Sequence, residues 1–104
     1  MRMMVQVTIP VEAGNAAIQD GSLMSTIQTA IADLKAEAAY FCAFEGERNG
    51  FIVFDMKDTS EIPGIAERFF LALNAKVSFT PVMNAADLAA AGPGIASAVA
   101  AHGG

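Results

Sequence analysis

The sequence predicts a single α+β domain in which a four-stranded antiparallel sheet carries two helices on one side. Three observations lead there. Residues 38–56, AAYFCAFEGERNGFIVFDM, read as two strands folded back on each other around a turn. A strand and then a helix precede this hairpin, and a helix and then a strand follow it. Both helices carry an apolar stripe along one side, as a helix packed on a sheet requires.

Successive strand residues point to opposite faces, so alternation assigns the hairpin side chains. The turn is placed at Glu45-Gly46, at Asn49-Gly50, whose Asn-Gly pair is the strongest short hairpin signal, or across residues 47–50. Each choice leaves an even number of loop residues and pairs even positions of the first arm with odd positions of the second. The faces therefore do not depend on the register. Tyr40, Cys42, Phe44, Phe51, Val53 and Asp55 share one face, and Phe41, Ala43, Ile52, Phe54 and Met56 share the other.

Before the hairpin, residues 3–11 alternate Met3, Val5, Val7 and Ile9 against Met4, Gln6, Thr8 and Pro10, a strand that Pro10 ends. Residues 13–36 are helical in character, interrupted at Asp20-Gly21, with Ser22 placed to cap the second part. Leu23, Ile27, Ala30, Ile31 and Leu34 form its stripe. After the hairpin, Ser60 is read as the cap of a helix that tolerates Pro63 in its first turn. Ile62, Ile65, Ala66, Phe69, Phe70 and Leu73 are its buried stripe, and Asn74 ends it. Residues 75–83 supply a fourth strand. Asn84 and Asp87 resemble a cap and its acidic third residue, opening a short helix through Ala91. Gly92-Pro93-Gly94 is read as a breaker, leaving residues 92–104 as a helical or frayed tail of the one domain, 1–104.

The order strand, helix, strand, strand, helix, strand is the ferredoxin-like βαββαβ pattern, which covers one sheet face only. Val5, Val7, Ile9, Phe41, Ile52, Phe54, Val77 and Phe79 are assigned to the helix side. Gln6, Thr8, Tyr40, Cys42, Phe44, Phe51, Val53, Ser78 and Thr80 lie opposite. Leaving those aromatics in water exposes apolar area on the order of several hundred Å2, the size that marks an interface. A second copy stacked sheet on sheet is the simplest cover.

Composition narrows the classes. The chain is 54% hydrophobic and 16% charged, too apolar for disorder. Six Lys and Arg among eleven Asp and Glu, a net charge of −5, argue against a nucleic-acid partner. No window approaches the roughly 20 apolar residues of a membrane span, and the start lacks a signal-peptide pattern. Cys42, the one cysteine, is read as a buried, reduced thiol, and a cytoplasmic setting follows. One Cys and one His, His102, offer no metal-ligand spacing, and no phosphate loop or dinucleotide fingerprint is present, so no cofactor is expected.

AAYFCAFEGERNGFIVFDMKDTSEIPGIAERFF, followed by LNAKVSFTPVMNAADL, resembles a family of small uncharacterised bacterial proteins grouped with the dimeric α+β barrels. Proteins like muconolactone isomerase and the antibiotic-biosynthesis monooxygenases are its relatives in fold. The resemblance covers residues 3–90 and implies a ferredoxin-like protomer whose sheet packs on its partner's to close a barrel. It implies no assigned reaction; an enzyme of this kind would be a cofactor-independent isomerase or monooxygenase. The haem-binding relatives need an axial histidine, for which this chain offers only His102.

Two functional readings share this fold. In the first, a homodimeric barrel binds, and as an enzyme transforms, a small hydrophobic molecule. Asp55 and Tyr40 are its candidate catalytic groups, because a carboxylate enclosed in a barrel has a raised pKa suited to acid–base work. Gln6, Thr8, Cys42, Phe44, Phe51, Val53, Ser78 and Thr80 are its candidate ligand-binding lining, apolar walls with a few polar groups. Asn15, Asp20 and Ser22 would ring the barrel mouth or serve as turn and cap residues. In the alternative, the paired sheets are a solid core and the protein is a structural or interaction module.

Overall fold

The computed structural model describes residues 1–103. Its elements run β1 (Arg2–Ile9), α1 (Val11–Gln19), α2 (Ser22–Leu34), β2 (Ala38–Phe44), β3 (Glu47–Asp55), a 3-10 turn (Thr59–Glu61), α3 (Ile62–Leu73), β4 (Lys76–Pro81), α4 (Ala85–Ala90) and α5 (Gly92–His102). The strands form one antiparallel sheet in the order β2-β3-β1-β4, the ferredoxin-like arrangement, with β2 and β4 at the edges.

Alternation along the strands makes the core. Met3, Val5, Val7 and Ile9 of β1 and Ile52 and Phe54 of β3 point to the helix side and are buried with Phe69 and Leu73 of α3 and Leu23 and Ala30 of α2. Of the stripe expected on α3, Ile65, Ala66, Phe69 and Leu73 are buried and Ile62 is partly buried, whereas Phe70 is exposed.

Of the three turns the hairpin offers, the chain takes Glu45-Gly46, closed by the pair Phe44 and Glu47. Both loop residues have positive φ, 53° and 79°, as a type I′ turn demands. Even residues of β2 pair with odd residues of β3, so the two faces are those the alternation assigns.

Three local expectations are corrected. Ser22 does not cap α2: Gly21, at φ 80°, occupies the N-cap position, and the Ser22 N–H donates instead to Asp20 Oδ1 at 2.8 Å. Asp58, not Ser60, caps the turn leading into α3, in a reciprocal capping box with Glu61. Its carboxylate accepts from the Ser60 N–H at 2.8 Å, a geometry the shorter Ser60 side chain does not supply. Gly92-Pro93-Gly94 ends α4 but also begins α5, because proline is suited to the first turn of a helix.

The C-terminal arm departs from the domain. A globular chain of this length has a radius of gyration near 13 Å; this one has 17.2 Å and spans 60 × 28 × 20 Å. Arg2 anchors the base of the arm by binding Asp87 together with Glu37. Beyond it, α5 buries no residue and carries no charge before His102.

Candidate functional site

The helices do not reach across the whole sheet. Edge strand β2 is left largely uncovered, so Phe41, although on the helix side, is 51% exposed. Between it and α2 lies a cleft of about 370 Å3. Leu23, Met24 and Ile27 of α2 form one wall, β1 and β3 contribute Val7, Ile9 and Ile52, and Phe69 of α3 also lines it. Arg48, Asn49, Gly50 and the β2 residues Phe41, Cys42 and Ala43 complete the lining.

Arg48 is the only charged residue of that lining. Its position follows from parity: it lies on the same side of β3 as Ile52 and Phe54, where an apolar residue is the rule. The guanidinium reaches α1, where Nη2 donates to Asn15 Oδ1 at 3.1 Å and Nη1 to the Val11 carbonyl at 3.4 Å. Gly14 makes room for it, since a β-carbon there would lie 2.5 Å from Nη1. Sequence reading passed over Arg48 and Asn15 as a pair; an arginine on the apolar face of a strand was the signal available.

The opposite face gathers most residues expected to bind a ligand. Tyr40, Phe51, Gln6 and Ser78 form one row across all four strands. Cys42, Asn49, Thr8 and Lys76 form the next, and Ala38, Val53, Met4 and Thr80 the row on the other side. Among the described residues no element covers these rows, so Tyr40 is 70% exposed, and Phe44 is exposed beside the hairpin turn. Cys42 corrects an expectation: the thiol expected to be buried is exposed, because β2 is an edge strand on an uncovered face.

One residue of this face is buried all the same. Asn49 is 3% exposed and makes four hydrogen bonds. Its Oδ1 accepts from Thr8 Oγ1 at 2.7 Å and from Gln6 Nε2 at 3.0 Å. Its Nδ2 donates to the carbonyls of Glu47 and Phe44 at 3.2 and 3.3 Å. The donors of Gln6 and Thr8, expected to face a ligand, are thus partly taken up within the sheet. Asn49 reads as a turn residue in sequence, and its pinning role depends on the register, which alternation leaves open.

Asp55 and Tyr40 are not brought together. Asp55 pairs with Arg2 in register, four residues along β3 from Phe51, the partner of Tyr40; at about 3.3 Å per residue that separates their rows by about 13 Å. The pKa of Asp55 moves opposite to the rise expected inside a barrel. The terminal ammonium of Met1, 2.7 Å away, donates to its carboxylate and holds its pKa below the usual value, with a smaller contribution from Lys57. Desolvation, which would raise the pKa, is outweighed by the ammonium at this exposed carboxylate.

Comparison with protein-family models gives no match, and no curated protein matches the chain. Among solved structures, a formyltetrahydrofolate deformylase from Pseudomonas putida KT2440 is similar to it at TM-score 0.52 and 12% identity, over 79% of this chain. The match spans 29% of that protein. At this identity the likeness supports the ferredoxin-like fold alone.

Proposed function

We propose that this protein works as a homodimer that binds a small hydrophobic molecule in the cleft beneath α2. The observation that carries the reading is the cleft itself: about 370 Å3, walled by aliphatic, aromatic and thioether side chains, with polar groups confined to a few positions. That volume lies at the small end of ligand pockets, and such pockets combine apolar walls with a few placed polar groups.

The uncovered sheet face supports the pairing. Burying its aromatics against a second copy, at roughly 25 cal/mol per Å2 of apolar area, favours association before the costs of docking. The resemblance to dimeric barrels points the same way, and pairing through this face leaves the cleft on the far side open. An uncharged α5 with no cover from its own domain also suits a chain that meets a partner. The Asn49 bonds favour a solid interface over a pocket there, so the paired sheets serve in this reading as core. The separation of Asp55 and Tyr40 gives no pairing on which to build a reaction.

Titration with the neutral fluorophore N-phenyl-1-naphthylamine tests the cleft. The emission gain should saturate at one probe per chain and weaken at least tenfold in Ala43→Phe, which places a ring in the lining. Absence of any gain, or a gain untouched by Ala43→Phe, would remove the cleft as the site.

A further inference from the structure

The geometry points to a more definite ligand: the cleft selects apolar molecules bearing one carboxylate, and Arg48 binds that carboxylate. This rests on the reading of the cleft as a ligand site and adds the chemistry of what enters it.

An arginine on the apolar face of a strand commonly pairs with a carboxylate, whose two oxygens its guanidinium fork fits; Arg48 stands half-buried at the edge of the cleft. The ion pairs among the described residues join Arg2 to Glu37 and Asp87, Arg68 to Asp33, and the terminal ammonium to Asp55. Arg48 is in none of them, although the chain carries eleven acidic residues. Its two hydrogen bonds go to neutral oxygens, the Val11 carbonyl and the Asn15 amide. These bonds and the space left by Gly14 hold the guanidinium against α1 without neutralising it.

Five N–H groups are available to a guanidinium, and two carry these bonds. The remainder suit the two oxygens of a carboxylate, which arginine binds through paired, parallel hydrogen bonds. No acidic side chain lines the cleft, so nothing within it repels an anion. An aliphatic or aromatic body against Leu23, Ile27, Phe41 and Ile52, with its acid group toward Arg48, satisfies both the apolar wall and the unpaired charge. Medium-chain fatty acids and arylalkanoic acids share this chemistry.

Displacement of N-phenyl-1-naphthylamine by two matched pairs, 4-phenylbutyrate against 4-phenylbutanol and decanoate against decanol, separates charge from shape and one acid type from the other. Each acid that fits should compete at least tenfold more strongly than its alcohol at pH 7. In Arg48→Gln the ratio of acid to alcohol should fall to about one, and Arg48→Lys should keep part of the preference. A cooperative urea transition in each variant shows that it is folded. Equal competition by acid and alcohol in the wild-type protein, or a preference that survives Arg48→Gln, overturns the inference while leaving the cleft as a site. Failure of the probe itself to bind removes the underlying reading.

Discussion

The Phe41 ring packs against the bare α-carbon of Gly50, its partner across β2 and β3: a β-carbon placed there would lie 3.0 Å from Cε1 and 3.1 Å from Cδ1. Glycine in a strand commonly marks such a close approach. Here it sets the position of the aromatic ring that borders the cleft. Gly50→Val should force Phe41 outward, lower stability by about 1–3 kcal/mol and weaken probe binding. Urea unfolding and probe titration on the same variant measure both, and a variant with full stability and full affinity would show that the contact decides neither.

Asn49→Ala removes the buried amide and leaves the carbonyls of Phe44 and Glu47 without their side-chain donor. The expected loss is about 1–3 kcal/mol, against roughly 0.5–1.5 for Thr8→Val, which deletes one bond of the group. The urea midpoint should fall with an unchanged slope, since the surface exposed on unfolding is the same.

Phe69 is fully buried beneath the sheet and also lines the cleft. Phe69→Ala should cost about 3–5 kcal/mol, a large part of the total stability of a domain this size. Thermal unfolding followed by circular dichroism should show a midpoint lowered by tens of degrees or no folded baseline at all, whereas Phe69→Leu should keep a cooperative transition.

Acid should weaken the fold through its capping carboxylates. Asp58 has a lowered pKa because the Ser60 N–H bonds to it, and Asp87 because the Asn84 N–H does. A carboxylate whose folded pKa lies below its unfolded value, about 3.9 for aspartate, contributes stability above that value. The contribution is lost as pH falls through the folded pKa. Urea midpoints measured from pH 6 to pH 2.5 should therefore drop below about pH 4. Asp58→Asn keeps an acceptor for the Ser60 N–H but no longer titrates, so its drop should be shallower; an identical drop would assign the acid sensitivity elsewhere.

Tyr40→Asp combined with Phe51→Asp places two charges in neighbouring positions of the uncovered face. Sedimentation equilibrium should find the wild-type chain at twice its 10.8 kDa mass and the variant at its single mass. A wild-type chain that stays single at tens of micromolar would remove the proposed pairing.

Much of the fold was legible because it depends on parity and on stripes. The hairpin faces follow from an even loop whichever turn is chosen, and Asn74, in left-handed conformation at φ 51°, ends α3 as its type suggests. The turn itself was not legible, since Asn49-Gly50 carries the stronger signal yet serves other ends: the amide ties the sheet together and the glycine accommodates Phe41. Nor was the cleft. Alternation places Phe41 on the helix side, but how far α2 extends over an edge strand depends on packing between residues distant in sequence. The expected site residues therefore lie on the opposite face, and only Cys42 among them also borders the cleft.

The two margins of the sheet are unequally protected. β4 carries Lys76 and Pro81, a charge and a missing donor that discourage an approaching strand, while the seven residues of β2, AAYFCAF, have neither. Backbone groups along that uncharged margin offer a template on which another extended segment can be added. Fibrous growth at high concentration should therefore start from β2, and a lysine in place of Ala39 is the substitution most suited to block it.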